Sequence, residues 1–109
     1  MRDDDLLDKI RRAKEECWTE LDLSFSDISR LPPEIGELSH LRDLFLRANE
    51  LSELPPEIGE LCKLEELDVS DNDLVSLPPE IGRLSKLKEL YLWQNKLTTI
   101  VYPIIKATN

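Results

Sequence analysis

The apolar residues of this chain recur with a period of 23 residues over most of its length. The string Leu-Pro-Pro-Glu-Ile-Gly occupies residues 31–36, 54–59 and 77–82, and the flanking leucines keep the same step. This register divides the chain into four units, 18–40, 41–63, 64–86 and 87–109. A unit of this size cannot bury its leucines alone, so the pattern predicts units that stack on one another.

Each unit begins with an alternating Leu-x-Leu segment, which predicts a short β-strand. The second half of the unit supplies the crossover that parallel strands need. Positions 1, 4, 6, 11, 14, 18 and 21 of the unit are apolar and are predicted to face the core. The Pro-Pro pair predicts extended backbone on the side away from the strands. The glycine after it predicts a turn with positive φ.

An asparagine follows the strand in three units, at Asn49, Asn72 and Asn95, and the first unit has Ser26 there. Each side-chain amide is predicted to satisfy backbone groups where the chain bends away from the strand. Ligand binding by these amides is the alternative. A structural ladder is favoured, because buried polar groups in folded proteins are nearly always hydrogen-bonded.

The two ends of a stack of repeats expose core and need covering. Residues 3–17 predict an amphipathic N-terminal helix with a single apolar face, formed by Leu6, Leu7, Ile10, Ala13 and Cys17. Asp3, Asp4 and Asp5 suit its N-cap and the positive end of its dipole. A capping helix is favoured over a membrane-surface or partner-binding helix, since the segment is not strongly basic. Trp18 is expected to anchor the junction with the first strand.

The fourth unit departs from the pattern near its end. Where the other units read Pro-Pro-Glu-Ile-Gly, it has Val101, Tyr102, Pro103, Ile104 and Ile105. Two interpretations are open. The segment folds into its own cap, or it leaves an apolar face through which the chain self-associates.

These repeats resemble the leucine-rich repeat family in its 23-residue form, over residues 18–109. They are similar to the intracellular repeats of Ras-suppressor-type scaffolds, plant Ras-group proteins and bacterial Roco-type GTPases. The resemblance implies an α/β fold: a right-handed solenoid of four repeats with a concave parallel β-sheet. The capping helix predicted from the sequence pattern lies before it, within residues 1–17. The resemblance also implies that the residues between and just after the strand leucines face the concave surface.

Those concave positions carry acids and aromatics. Position 3 of the unit is acidic in all four repeats, and carboxylates on neighbouring strands about 4.8 Å apart repel one another by roughly 1 kcal/mol in water. Folding of the repeat does not require that arrangement. Aromatics among charges are typical of binding hot spots. The predicted partner-binding residues are Glu20, Asp22, Asp43, Phe45, Arg47, Glu66, Asp68, Glu89, Tyr91 and Trp93. The alternative is that the acids keep the protein soluble and the aromatics favour strands.

Composition narrows the function classes. The chain has 14 basic and 23 acidic residues and a net charge of −9, which argues against binding to nucleic acid or to an anionic membrane. The start Met-Arg-Asp-Asp-Asp does not suit a signal peptide, and no apolar run approaches the roughly 20 residues of a membrane span. Cys17, Cys62 and His40 lack metal-ligand spacing. Cys62 is predicted to be exposed, and Cys17 to be a small buried apolar residue.

No Gly-x-x-x-x-Gly-Lys-Ser/Thr loop is present, and neither catalysis nor a cofactor is predicted. The leading hypothesis is a cytoplasmic, non-enzymatic interaction module. Its partner is expected to be a protein with basic and apolar groups. The alternatives are the recognition arm of a larger signalling protein, such as a Roco-type GTPase, and a structural or engineered mini-solenoid without a natural ligand.

Overall fold

The computed structural model describes residues 1–98 as a coil of one helix and four short strands. Helix α1 spans Asp3–Glu15. The strands are β1 Glu20–Asp22, β2 Asp43–Phe45, β3 Glu66–Asp68 and β4 Glu89–Tyr91, and they form one parallel sheet in chain order. Short 3-10 helices span Pro33–Glu37, Pro56–Glu60 and Pro79–Arg83. The predicted α/β coil of stacked repeats with an N-terminal helix is confirmed.

The core lies between the sheet and the 3-10 helices. Neighbouring strands pair in a register of 23 residues, so Leu21, Leu44, Leu67 and Leu90 are aligned and each is at most 1% exposed. In the second and third repeats all seven predicted core positions are buried. In the fourth, Leu87, Leu92 and Leu97 are half-buried and pack against the core. The predicted core residues Ile100, Ile104 and Ala107 lie outside the described residues.

The Pro-Pro pairs behave differently from the prediction of an extended segment. Pro32 is extended, with φ −73° and ψ 155°, but Pro33 begins a 3-10 helix. The other two pairs repeat this arrangement. Proline suits the first position of a helix, because the ring presets φ and the missing N–H would have had no partner there.

The prediction that the repeat glycine needs positive φ is wrong. No described glycine has positive φ. Gly36 and Gly59 are buried in their 3-10 helices, where the next repeat comes very close. A β-carbon on Gly59 would lie 2.5 Å from the Glu80 carbonyl oxygen, and one on Gly36 would lie 2.8 Å from that of Glu57. Glycine is therefore required by the spacing between repeats rather than by a turn.

The left-handed position of the repeat comes directly after the strand region instead. Position 8 has a φ between 54° and 58° in all four repeats, at Phe25, Ala48, Asp71 and Gln94. Its backbone N–H still donates to the next repeat, for example from Ala48 to the Ser70 carbonyl at 3.0 Å. The parallel pairing therefore extends past the strands to the point where the chain turns.

The predicted asparagine ladder is confirmed. Asn72 Nδ2 donates to the carbonyls of Leu46, Val69 and Ser70 at 2.9–3.1 Å, and its Oδ1 accepts the Leu51 N–H at 3.0 Å. Asn49 and Asn95 make equivalent bonds in their own repeats. Each amide joins its own repeat to the preceding one and satisfies backbone groups that leave the sheet at this bend.

Helix α1 covers the first repeat. Leu6, Ile10 and Ala13 join the buried core, and Lys14 Nζ lies 2.9 Å from Glu37 of the first 3-10 helix. The three aspartates occupy the first turn, as the dipole argument predicts. They are not the N-cap, however, because Arg2 holds that position and makes no side-chain capping bond.

The prediction that Cys17 is buried is wrong, because the helix ends at Glu15. Cys17 takes a left-handed conformation with φ 55° just past the end and is exposed. Its N–H donates to the Lys14 carbonyl and the Trp18 N–H donates to that of Ala13, which is the Schellman pattern of helix termination. Trp18 is half-buried against the core and lies under the Arg12 guanidinium at 5.5 Å, as expected of the residue at this junction.

Candidate partner-binding face

The outer face of the sheet carries the predicted binding residues. The buried residues at positions 4 and 6 point inward, so positions 3, 5 and 7 point to the opposite face. The structure therefore brings all ten predicted residues together on this surface, which we call the acidic–aromatic face: Glu20, Asp22, Asp43, Phe45, Arg47, Glu66, Asp68, Glu89, Tyr91 and Trp93.

Four carboxylates form one row across this face. The strand register aligns Glu20, Asp43, Glu66 and Glu89 directly beside one another. Among residues 1–98, no lysine or arginine forms an ion pair with any of the four. Partial burial of Glu66, and then the charges of Glu89 and Asp43, raise the pKa of its carboxyl. The row is thus a region of unbalanced negative charge.

Changing Glu66 to Gln is expected to stabilise the protein at neutral pH, by up to about 1 kcal/mol for each neighbouring carboxylate. The pKa of Glu66 is higher in the folded state than in the unfolded chain, so its ionisation opposes folding above that pKa. The gain should disappear as the pH falls below the ordinary carboxyl range, where Glu66 is protonated in both states. Urea unfolding at pH 7 and at pH 3.5 measures this difference.

Glu53→Gln is the matched control, because Glu53 is an exposed carboxylate outside the row. We expect its effect on the unfolding free energy to be much smaller. If Glu66→Gln were instead destabilising at pH 7, the row would not be electrostatically unfavourable.

Aromatic side chains stand beside the carboxylate row. Phe45 and Tyr91 are half-buried at position 5, and Trp93 is 55% exposed at position 7. The Tyr91 hydroxyl donates a hydrogen bond to Glu89 Oε2, and this bond is the main cause that raises the pKa of Tyr91 to about 12. This hydrogen bond joins the Tyr91 hydroxyl to one member of the carboxylate row.

Position 5 alternates between aromatic and aspartate along the stack. Asp22 and Asp68 occupy it in the first and third repeats, and each accepts the backbone N–H of the serine two residues later at 3.0 Å. Those serines are Ser24 and Ser70. Phe45 of β2 therefore lies between Asp22 and Asp68. Asp68 of β3 in turn lies between Phe45 and Tyr91.

Arg47 is the one basic side chain among the ten residues. Its Nε lies 3.1 Å from Asp71 Oδ2, so its charge is directed to the next repeat. Asp71 was not in the predicted set, and nor were Ser70 and Phe25. Phe25 is the most exposed large apolar side chain described, at 75%, and Ser70 is 4% exposed with no partner for its hydroxyl among residues 1–98. The repeat register could have pointed to these three residues, because Ser70 is at position 7 and Phe25 and Asp71 are at position 8, directly after the strand leucines.

Grooves also lie beside α1 and beside the Pro-Pro segments. A groove of about 290 Å³ lies between α1 and the first Pro-Pro pair, lined by Leu6, Leu7, Arg30 and Pro33 among others. It is where the helix meets the first repeat. Within residues 1–98, no three His, Cys, Asp or Glu side chains lie close enough to hold a metal ion. Over the same residues, no helix is long and apolar enough to cross a membrane.

Comparison with known proteins agrees with this architecture. A family model for a leucine-rich repeat region matches residues 20–104. Among solved structures, a leucine-rich repeat protein of Leptospira interrogans is 46% identical in sequence, with a TM-score of 0.72. That match covers 72% of this chain and 20% of the solved one, so it spans about a fifth of that protein. None of the curated proteins compared matches the chain. With its 23-residue period, its parallel sheet and its asparagine ladder, the chain belongs to the leucine-rich repeat family.

Proposed function

We propose that this protein is a non-enzymatic interaction module that binds a protein partner on the acidic–aromatic face. The partner presents basic and apolar groups. The observation that carries the proposal is the in-register row of Glu20, Asp43, Glu66 and Glu89, which lacks any ion-pair partner among residues 1–98.

The described ion pairs support this interpretation of the charge. Lys88 pairs with Glu65 at 3.6 Å and Lys96 with Asp73 at 3.2 Å, so the fold does place cations beside acids one repeat away. Within the described residues, the four carboxylates of the row have no such cation beside them. Like charges side by side oppose folding, and a cationic partner would turn that repulsion into attraction.

The aromatics supply the second half of the recognition. Trp93 is more than half exposed and Phe45 and Tyr91 are half-buried, so a partner could remove considerable apolar area from water here. Buried aromatics contribute strongly to protein interfaces, while exposed charges mainly set specificity and association rate. The same face would serve a free-standing module or the recognition arm of a longer signalling protein.

The test is to select peptides from a random display library on the purified protein. We expect the selected peptides to be rich in basic and apolar residues. Their affinity should fall with added salt, because exposed charge pairs are screened. Changing Phe45, Tyr91 and Trp93 together to Ala should weaken binding by more than about 100-fold, given the usual loss of about 1–2 kcal/mol or more for each hot-spot side chain.

A control variant removes apolar area and charge away from the face. Val75→Ala with Glu53→Gln changes two exposed residues outside it and should leave peptide affinity within about twofold, since neither contacts the proposed partner. Circular dichroism checks that the triple variant keeps its fold. Selected peptides that bind the triple variant as tightly as the original protein would refute the proposal.

A further inference from the structure

The third repeat forms a slot on the acidic–aromatic face. Strand register places Asp68 directly between Phe45 and Tyr91. Parallel strands lie about 4.8 Å apart, so the two aromatic residues are separated by about 10 Å with the shorter Asp68 side chain between them. Ser70 lies on the same face two residues further along, between Arg47 and Trp93. We call Asp68, Ser70 and the two flanking aromatics the Asp68 slot.

Ser70 is flanked by a neighbouring repeat on each side. Ser70 is only 4% exposed although it points to the outer face, whereas Ser24, at the equivalent position of the first repeat, is half-buried. Ser24 has a neighbouring repeat on one side only. Trp93 is 55% exposed and is not part of the core, so its ring can swing aside without loss of core packing.

The floor of the slot has polar atoms that find no partner within residues 1–98. The Ser70 hydroxyl has no hydrogen-bond partner among residues 1–98. Asp68 Oδ1 accepts the Ser70 N–H, and Oδ2 receives no donor from the described residues. Glu66 lies two residues before Asp68 and on the same face of the sheet. Most buried polar groups in native proteins are paired, so a buried hydroxyl that lacks a partner among residues 1–98 and lies near the Asp68 carboxylate points to a donor that comes from outside.

A guanidinium group satisfies all these features. It is cationic and planar, it carries five N–H donors, and it stacks on aromatic faces as well as pairing with carboxylates. A cation held midway between the two aromatic strands would be about 5 Å from each strand, and an aromatic ring attracts a cation that lies over its face within roughly 6 Å of the ring centroid. An ammonium group has fewer donors and no flat face, so it would use the aromatic walls and the paired acceptors less well.

We propose that the Asp68 slot binds an arginine side chain of the partner protein. Asp68 pairs with the guanidinium, Ser70 Oγ accepts one of its N–H groups, and Phe45 and Tyr91 flank it, while Glu66 adds negative charge two residues away on the same strand. This proposal rests on the proposed function, because it names the chemical group that the acidic–aromatic face recognises.

The test titrates the ¹⁵N-labelled full chain with N-acetyl-arginine methylamide and follows the amide shifts by NMR at constant ionic strength. N-acetyl-lysine methylamide is the comparison probe. We expect the arginine probe to shift β3 and the Trp93 indole signal and to bind at least about threefold more tightly than the lysine probe. Equal affinity of the two probes would overturn the arginine assignment.

Two variants locate the binding. Asp68→Asn should weaken arginine binding by about fivefold, the loss expected for one exposed charge-assisted pair. Asp22→Asn is its matched control, because Asp22 makes the same bond to the serine two residues later but has an aromatic neighbour on one side only. Ser70→Ala should weaken arginine binding while leaving the fold at least as stable, since it removes a buried hydroxyl that has no hydrogen-bond partner in the described part of the chain.

If Asp68→Asn and Asp22→Asn lowered the affinity for the arginine probe equally, the Asp68 slot would not be a specific arginine site. The proposed function would survive that result if the selected peptides still depended on Phe45, Tyr91 and Trp93. Loss of that dependence would refute the proposed function instead, so the two failures can be told apart.

Discussion

Changing Asn72 to Ala is expected to lower the free energy of unfolding by about 3 kcal/mol. Asn72 is 6% exposed, and its Oδ1 accepts the buried N–H of Leu51. Without it, that N–H has no partner, and an unsatisfied buried donor costs about 1–3 kcal/mol. The three hydrogen bonds from Nδ2 are lost as well.

The expected loss of unfolding free energy is limited because neighbouring asparagines donate to the same carbonyl oxygens. The Leu46 carbonyl also receives Asn49 Nδ2, and the Val69 carbonyl also receives Asn95 Nδ2. The substitution therefore leaves those two oxygens with one donor each, and the orphaned Leu51 N–H accounts for most of the cost.

Urea unfolding followed by far-UV circular dichroism measures this loss, and Asn95→Ala is the matched comparison. Asn95 makes the same pattern of bonds but is only half-buried, so water can replace some of them. We expect it to cost less than Asn72→Ala. A change of under about 0.5 kcal/mol for Asn72→Ala would show that the ladder does not stabilise the stack.

Changing Gly59 to Ala is expected to cost about 2–3 kcal/mol, near the upper end for overpacked sites. The added β-carbon would lie 2.5 Å from the Glu80 carbonyl oxygen and 2.9 Å from its β-carbon. Backbone atoms of the next repeat cannot rotate away as a side chain would, so the two repeats must separate along the 3-10 helices. That separation would loosen the packing of Ile58 and Ile81, each of which is at most 2% exposed.

The same unfolding measurement tests this prediction against two further variants. Glu60→Ala alters an exposed residue of the same 3-10 helix and should change stability by less than about 0.5 kcal/mol. Gly36→Ala brings the new carbon 2.8 Å from the Glu57 carbonyl oxygen, so its cost should be somewhat smaller than that of Gly59→Ala. Gly59→Ala with unchanged stability would mean that the repeats can move apart at little cost.

The predicted self-association surface remains a prediction. Its residues lie outside the described part of the chain: Val101, Tyr102, Ile104 and Ile105. The prediction that the fourth repeat forms its own cap falls on the same segment. The boundaries of the capping segment 1–17 and of the repeat domain 18–109 also stay predictions, although α1 does contribute Leu6, Ile10 and Ala13 to the common core.

The sequence by itself determined the repeat register, the strand positions, the leucine core and the asparagine ladder. Each of these can be identified from the residue types at fixed positions of the 23-residue unit, and three copies of the Leu-Pro-Pro-Glu-Ile-Gly string make the register unambiguous. The acidic row also followed from the sequence, because a strict period places equivalent residues side by side on neighbouring strands.

Only the tertiary structure decided the roles of Gly59, Cys17 and Ser70. Gly59 is constrained by how closely the next repeat approaches, and Cys17 is exposed because helix α1 ends before it. Ser70 is buried between two neighbouring repeats, and its hydroxyl has no partner among residues 1–98. The roles of Gly59 and Ser70 arise from contacts between units. A periodic sequence shows which residues are equivalent, but the distance between neighbouring coils and the side chains that cover one another are set only when the units pack.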